Sequence, residues 1–154
     1  MLTTNGGGVA ADDSAKCCRG SRRSEKTGNT DMIDKKFAEE FAKEWEKAWN
    51  AHDMEEILSH YSDDFQMTSP FIPAAMGEAT GTLKGKDKVG EYWRKDLDRF
   101  PELRFQTESV LVGQNSIIIR YRSFRNELNR EAAEVMIFGD DGKVIESIAH
   151  YDEV

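Results

Sequence analysis

The chain has little cysteine and no long apolar run. Its two cysteines, Cys17 and Cys18, are adjacent, so they cannot cross-link distant parts of a fold, and nothing indicates an oxidising compartment. No apolar stretch approaches the roughly 20 residues that a helix needs to cross a bilayer. We therefore expect a cytoplasmic protein that neither spans nor binds a membrane.

Basic charge is also scarce. The sequence has 21 lysines and arginines against 29 acidic residues, for a net charge of -8 at pH 7. An acidic surface repels phosphate backbones, so we expect no nucleic-acid partner. The histidines do not show the spacing of a zinc site, and there is no phosphate-binding glycine loop or nucleophile elbow. The sequence therefore predicts no metal and no cofactor.

Residues 1–30 lack the large apolar residues that a core requires. They contain a GGG run and scattered serine, threonine and asparagine, so they cannot bury enough apolar surface to offset the entropy of ordering. We predict a disordered tail at 1–30 and one folded domain at 31–154. The tail has no apolar segment of a secretory signal. A related hypothesis is that Met32 is the natural start.

Apolar residues at helical spacing predict three helices in the first part of the domain. The first, over residues 32–51, carries an aromatic side chain at every fourth position: Phe37, Phe41, Trp45 and Trp49. Asp53 followed by Glu56 resembles a capping box, which predicts a second helix from Met54 to about Tyr61. A third helix is predicted from Asp87 to Arg99, where Pro101 follows and ends it.

The remainder of the domain alternates between apolar and polar residues. Residues 69–85 hold two of the three prolines and form a predicted long loop. Four strands are predicted after Pro101, over 103–112, 117–124, 132–138 and 144–151, joined by short turns that favour antiparallel pairing. Helices followed by a strand meander indicate an α+β fold, with the helices packed on one face of the sheet.

Three stretches carry a resemblance to a known family: WEKAWNAHDMEEILSHYSDDFQMTSP, TGTLKGKDKVGEYWRKDL and EVMIFGDDGKVIESIAHY. Together they resemble the nuclear transport factor 2-like superfamily, most closely its branch of SnoaL-like polyketide cyclases and ketosteroid isomerases. The resemblance spans residues 35–152. It implies a cone-shaped fold, in which N-terminal helices pack on a curved antiparallel sheet with a ligand cavity at the mouth. This fold hosts enzymes and non-catalytic modules, so it does not specify a function.

The resemblance carries over only in part to the site of the isomerase branch. That branch has a basic aspartate before a proline, and Ser69 stands there in this chain, before Pro70. A serine hydroxyl cannot take a proton from carbon without a base of its own. The tyrosine donor on the first helix corresponds to Trp45, and the protonated aspartate on a strand corresponds to Glu134. Steroid-type isomerisation is therefore not expected.

Glu134 is the candidate catalytic residue. It lies in EAAEVMIF, residues 131–138, where alternate residues of a strand place it on one face with Met136 and Phe138. A carboxyl in an apolar wall would have a raised pKa and could act as an acid or a hydrogen-bond donor.

The strand register separates two interpretations of Glu134. If Glu134 lies opposite Ile119 or Tyr121, it is a carboxyl in an apolar wall. If it pairs with Arg120 or Arg122, it is a neutralised surface charge. The sequence alone leaves both open.

The resemblance and the aromatic content predict the lining of a ligand pocket, although packing in the core explains many of the same side chains. His150, in the opposite strand phase to Tyr151, is expected to face a partner or solvent. The predicted pocket residues are Trp45, Trp49, Tyr61, Phe65, Ser69, Trp93, Met136, Phe138 and Tyr151.

Two functions follow from this sequence. The first is binding of a small, mostly apolar organic molecule, with cofactor-free acid/base isomerisation, cyclisation or hydration by Glu134, assisted by Tyr151 or Trp45. The second is a non-catalytic ligand-binding or dimerisation module. Ile148 and Val144 are expected on the outer sheet face, and exposed apolar sheet faces favour association, so we expect a homodimer.

Overall fold

The computed structural model describes residues 32–154, and the predicted disordered tail lies outside the described residues. Four helices and six strands follow one another along this part of the chain. Their bounds are α1 Lys35–Asn50, α2 Met54–Ser59, β1 Tyr61–Thr68, α3 Ile72–Met76, β2 Thr82–Lys84, α4 Lys86–Arg99, β3 Arg104–Val112, β4 Ser116–Arg125, β5 Leu128–Phe138 and β6 Val144–Tyr151.

The six strands form one curved sheet in the order β2-β1-β6-β5-β4-β3. Strands β3 to β6 form the predicted antiparallel meander. The pair of β1 and β6 is parallel, with Gln66 opposite Glu146, and this differs from the fully antiparallel sheet that was predicted. Helix α1 packs against β3 and α4 against β1. The α+β fold with helices on one face of a curved sheet is therefore confirmed.

Capping explains where the first two helices begin. The Asp34 carboxylate accepts from the backbone N–H of Phe37 at 2.7 Å, and Asp53 accepts from the N–H of Glu56 at 3.1 Å. Both bonds satisfy backbone donors that the first turn of a helix leaves free. Between the helices, His52 adopts a positive φ of 54° and its Nε2 donates to the Leu103 carbonyl at 2.8 Å. This contact joins the helix break to the start of β3.

The region around Tyr61 differs from the sequence prediction. Helix α2 ends at Ser59, and Tyr61 is the first residue of β1 rather than the last of a helix. Asp63 and Asp64 lie in this strand and are exposed, although a turn was predicted. The pairing of β1 with β6 shifts register between Tyr61 and Gln66. The irregular stretch contains both acids, and their carboxylates reach solvent.

Another register shift changes the outer face of the sheet. The pairing of β5 and β6 is irregular between Ile137 and Phe138, so Phe138 lies opposite Val144. Val144 is consequently buried in the core, and Ile145 is 40% exposed. The expectation that Val144 lies on the outer face was wrong, because strict alternation does not survive a bulge.

The core lies between the helices and the inner face of the sheet. Near the start of α1, the ring of Phe138 is 5.4 Å from that of Phe37 and 5.0 Å from that of Phe41. Farther along the helix, Trp45 stacks on Phe105 at 5.3 Å. Among residues 32–154 no helix is long and apolar enough to span a membrane.

Candidate functional site

The strand register places Glu134 in an apolar wall. Glu134 lies opposite Ile119 on β4 and opposite Ala149 on β6, and it is only 4% exposed. Arg120 instead faces Ala133, and Arg122 forms ion pairs with other carboxylates on the surface. The ion-pair interpretation of Glu134 is therefore excluded.

Burial raises the pKa of Glu134 to about 7, while the hydroxyls of Ser147 and Tyr121 act in the opposite direction. The Tyr121 hydroxyl donates to Oε2 of Glu134 over a long distance of 3.4 Å. The Ser147 hydroxyl lies near enough to lower the pKa of the carboxyl, but it makes no hydrogen bond of good geometry within the described residues. A carboxyl with a pKa near 7 can both donate and accept a proton at neutral pH.

The charge of this carboxyl affects all four tyrosines of the chain. Burial is the main cause that raises the pKa of each phenol, and the charge of Glu134 raises it further for Tyr61, Tyr92, Tyr121 and Tyr151. The four phenols therefore remain protonated at neutral pH and can donate hydrogen bonds. Glu134, the Ser147 hydroxyl and the four phenol hydroxyls form a polar cluster inside an otherwise aromatic core, and the Tyr121 hydroxyl contacts the carboxyl directly.

The predicted tryptophans lie beside this cluster, and two of their three N–H groups are already used. The indole N–H of Trp45 donates to the Tyr61 hydroxyl at 3.1 Å, and that of Trp93 donates to the Met67 sulfur at 3.2 Å. The N–H of Trp49 lies near the Tyr61 hydroxyl and lowers its pKa, but it has no hydrogen-bond partner of good geometry in the described part of the chain. Trp45 therefore reaches the cluster through Tyr61.

Ser69 and Tyr151 lie near this cluster. They line an open cleft of about 470 Å³, together with Ala149, the residue opposite Glu134. The Ser69 hydroxyl accepts from the backbone N–H of Phe71 at 3.3 Å and lies 3.5 Å from the hydroxyl of Tyr92. These contacts provide Ser69 with no strong base.

The other predicted pocket residues lie deeper. Met136 is completely buried and Phe138 contacts the aromatic residues of α1, so both close the apolar end of the inner face. Phe65 packs against Trp93 at 5.7 Å and against Tyr61 at 4.5 Å. The structure therefore places these three residues in the packed core, next to the polar cluster.

Several residues of the cluster were not among the predicted site residues. Tyr121 could have been found, because it shares a strand phase with Ile119, which lies opposite Glu134. Ser147 shares a phase with Ala149 and Tyr151, but an isolated serine carries no sequence signal. Asp96 binds Arg125 through two bonds of 3.1 and 3.0 Å, although it lies 29 residues earlier. Nothing in the local sequence predicts such a distant pair.

The family comparison agrees with this architecture. The SnoaL-like domain family matches residues 42–147, which include α4, Ser69 and Glu134. The chain belongs to the SnoaL-like family. No curated protein sequence matches it. The matched region includes Trp45, Ser69 and Glu134, the three positions that correspond to site residues of the isomerase branch, and Glu134 is buried near the tyrosines.

Solved structures extend this family comparison. A SnoaL-like protein of unknown function from Burkholderia thailandensis E264 is 45% identical, with a TM-score of 0.74, covering 79% of this chain and 98% of that chain. A protein from Kribbella flavida DSM 17836, named provisionally as a ketosteroid isomerase, is 12% identical with a TM-score of 0.62, covering 77% and 80%. A provisional SnoaL-like polyketide cyclase from Jannaschia sp. CCS1 is 14% identical with a TM-score of 0.63, covering 76% and 86%.

The predicted resemblance to the nuclear transport factor 2-like superfamily and its SnoaL-like branch is confirmed. The two distant structures show a shared fold and nothing about the reaction of this chain. Within residues 32–154, no three side chains of the histidine, cysteine, aspartate or glutamate type come together as a metal site.

Proposed function

We propose that this SnoaL-like protein is a cytoplasmic protein that binds a small, mostly apolar organic molecule beside Glu134. The proposed chemistry is isomerisation, cyclisation or hydration without a cofactor, with Glu134 as the acid or hydrogen-bond donor. The observation that carries the proposal is the buried position of Glu134 opposite Ile119, where desolvation raises its pKa to about 7. Strongly shifted carboxyls concentrate at functional sites.

The surroundings of Glu134 suit a ligand with a carbonyl group. The protonated carboxyl can donate to a carbonyl oxygen, and the neutral hydroxyl of Tyr151 can add a second donor, since its pKa is raised. Trp45 would act indirectly, because its N–H is bonded to Tyr61. With Ser69 in place of a base, Glu134 is the group left to accept a proton as well as to donate one.

Ketone binding at several pH values tests the proposal. We expect 2-acetonaphthone to bind the wild type more weakly as the pH rises through about 7, because Glu134 then loses the proton that it donates. The Glu134→Gln variant keeps a neutral donor, so its affinity should not change over the same range. Isothermal titration calorimetry measures both.

Glu131→Gln is the matched control, because Glu131 is exposed on the other face of the same strand. It should behave like the wild type. Identical affinities and identical pH profiles for wild type and Glu134→Gln would remove Glu134 from ligand recognition.

The second candidate function is a non-catalytic binding module, and Ser69 favours it because the base of the isomerase branch is missing. Exchange of α-protons separates the two functions. An acid/base enzyme would accelerate deuterium incorporation into 2-tetralone in D₂O, and Glu134→Gln would abolish the acceleration. Binding of 2-tetralone without any acceleration by the wild type would favour the module.

We further propose that the protein is a homodimer through the outer face of the sheet. Four apolar residues form a row in register across four strands of this face: Leu111, Ile118, Val135 and Ile148. Leu111 is 53% exposed, and covering such a row removes apolar surface from water. We expect a dimer by analytical ultracentrifugation at micromolar concentration and a monomer for Ile148→Lys. A monomeric wild type would refute the dimer.

A further inference from the structure

The inner face of the sheet becomes cationic at one end. Arg125 on β4 and Arg130 on β5 continue the strand phases of Ile119 and Glu134, at the end where the two strands turn. Arg130 lies opposite Ser123, and Arg125 lies opposite Leu128, so the two arginines are diagonal neighbours. Such neighbours are about 7–8 Å apart between backbones. Two like charges on a partly buried face are unfavourable without counter-charge.

One carboxylate compensates this pair of arginines. Asp96 binds Arg125 through both of its oxygens, and the Arg125 side chain is only 15% exposed. Burial raises the pKa of Asp96 and the charge of Arg125 lowers it. Arg130 donates instead to the backbone carbonyl of Glu153 at 3.0 Å, and no carboxylate of residues 32–154 forms an ion pair with it. Within residues 32–154, the two guanidinium groups therefore share one ion-paired carboxylate, that of Asp96.

These arginines are connected to the cluster around Glu134. The guanidinium of Arg130 lies 5.1 Å from the ring centre of Phe71, and this ring is 4.7 Å from the ring of Tyr151. Tyr151 in turn lines the open cleft. The charge of Arg125 lowers the pKa of Tyr121 and Tyr151 against the effect of burial. Both arginines therefore lie near Tyr151, Arg125 through the effect of its charge and Arg130 through the ring of Phe71.

We propose that the ligand is an organic anion, such as an aryl keto acid, whose carboxylate binds Arg130 in the field of Arg125 while its carbonyl group contacts Glu134. This inference rests on the proposed function and specifies its substrate class. Arg130 and Glu134 are four residues apart on one strand, which is about 13 Å between their Cα atoms. A one-ring keto acid, together with the two side chains, covers this span. Guanidinium groups bind carboxylates with charge-assisted bonds.

A matched pair of compounds tests the charge. The probes are 6-oxo-6-phenylhexanoate and its methyl ester, which share the ring, the chain and the ketone and differ in the negative charge. We expect calorimetry to show that the wild type binds the acid about tenfold more tightly than the ester. Raising the salt concentration to about 0.5 M should weaken only the binding of the acid, because salt screens the attraction.

Variants then assign the preference to Arg130. Arg130→Met should lower the affinity for the acid to that for the ester and leave the ester within about twofold. Arg130→Lys keeps the charge and should restore most of the preference. Arg120→Met is the control, because Arg120 is exposed and lies opposite Ala133, on the other face. Arg125 is left unchanged, since its loss would leave Asp96 without a partner.

The outcomes separate this inference from the proposed function. Equal binding of acid and ester, or an equal loss of both in Arg130→Met, would overturn the anionic ligand, while binding of the ester would still support a pocket at Glu134. Failure of both compounds to bind at millimolar concentration would overturn the pocket and the anionic ligand together. A loss confined to the acid in Arg130→Met, absent in Arg120→Met, supports the inference.

Discussion

The two ends of one face of β5 serve different purposes. Toward its C-terminus, Met136 and Phe138 are enclosed by other apolar side chains, including Phe41 of α1. Toward its N-terminus, the same phase presents Glu134 and then Arg130, which lie among hydroxyls and partly open surface. Spacing and direction are the same at both ends, so the residue types decide the difference. One end contributes stability, and the other holds a carboxyl whose ionisation is unfavourable there.

Removing a ring from the apolar end should have the largest effect on stability. Phe138→Ala loses the ring contacts with Phe37 and Phe41, and we expect a loss of about 3–5 kcal/mol in the free energy of unfolding by urea. Leu128→Ala on the same strand is the control, because Leu128 is 59% exposed and should change stability by less than about 0.5 kcal/mol. Equal losses in both variants would contradict the division of β5 into two ends.

Replacing Glu134 by a neutral residue should increase the free energy of unfolding at neutral and alkaline pH, with little effect at acidic pH. The folded pKa of Glu134 is about 7 against an ordinary 4.5, so the folded state holds a proton that the unfolded state has lost. The stability of the wild type therefore falls as the pH rises from about 4.5 to about 7 and then levels off, by about 3 kcal/mol in total. Glu134→Gln removes this loss.

Urea unfolding at pH 5 and pH 8 measures this difference. We expect Glu134→Gln to be more stable than the wild type at pH 8, by up to about 3 kcal/mol, and much closer to it at pH 5. Glu131→Gln on the outer face should show no such pH dependence. A wild type that is more stable than Glu134→Gln at pH 8 would show that contacts stabilise the carboxylate, and the contrast between the two ends would fail.

Removing one hydroxyl of the polar cluster should have the smallest effect on stability. Tyr61→Phe removes the acceptor of the Trp45 N–H, and leaving a buried donor unpaired costs about 1–3 kcal/mol. Tyr92→Phe is the comparison, since its hydroxyl lies 3.5 Å from that of Ser69 and the loss should be smaller. A larger loss of stability in Tyr92→Phe than in Tyr61→Phe would contradict the prediction that the bond between Trp45 and Tyr61 contributes more than the contact between Ser69 and Tyr92.

Local patterns predicted most of the fold. The aromatic spacing of α1 and the alternation in β3 to β6 each involve residues that are close together along the chain. Such patterns can therefore be recognised in the sequence alone. The parallel pairing of β1 with β6 joins Gln66 to Glu146, 80 residues apart, and no local pattern contains that information. The bulge that buries Val144 has the same origin, because it is a property of two strands together.

The candidate site was predictable only in part. The phase that Glu134 shares with Met136 predicts an inward carboxyl, and the register opposite Ile119 agrees with this. The Tyr121 hydroxyl and the Ser147 hydroxyl reach Glu134 from neighbouring strands. Their roles depend on distances that a sequence does not contain. The pKa of Glu134 depends in turn on how completely these neighbours exclude water.

The parallel pair has a consequence for synthesis of the chain. Strand β1 emerges from the ribosome early, yet β6, its partner across the centre of the sheet, is the last strand to emerge. Until then, β1 can pair only with the short β2, and the aromatic stripe of α1 lacks most of the sheet that covers it. Contacts between such distant segments slow folding and extend the exposure of apolar surface. Completion of the domain therefore waits for the last eight-residue strand, Val144–Tyr151.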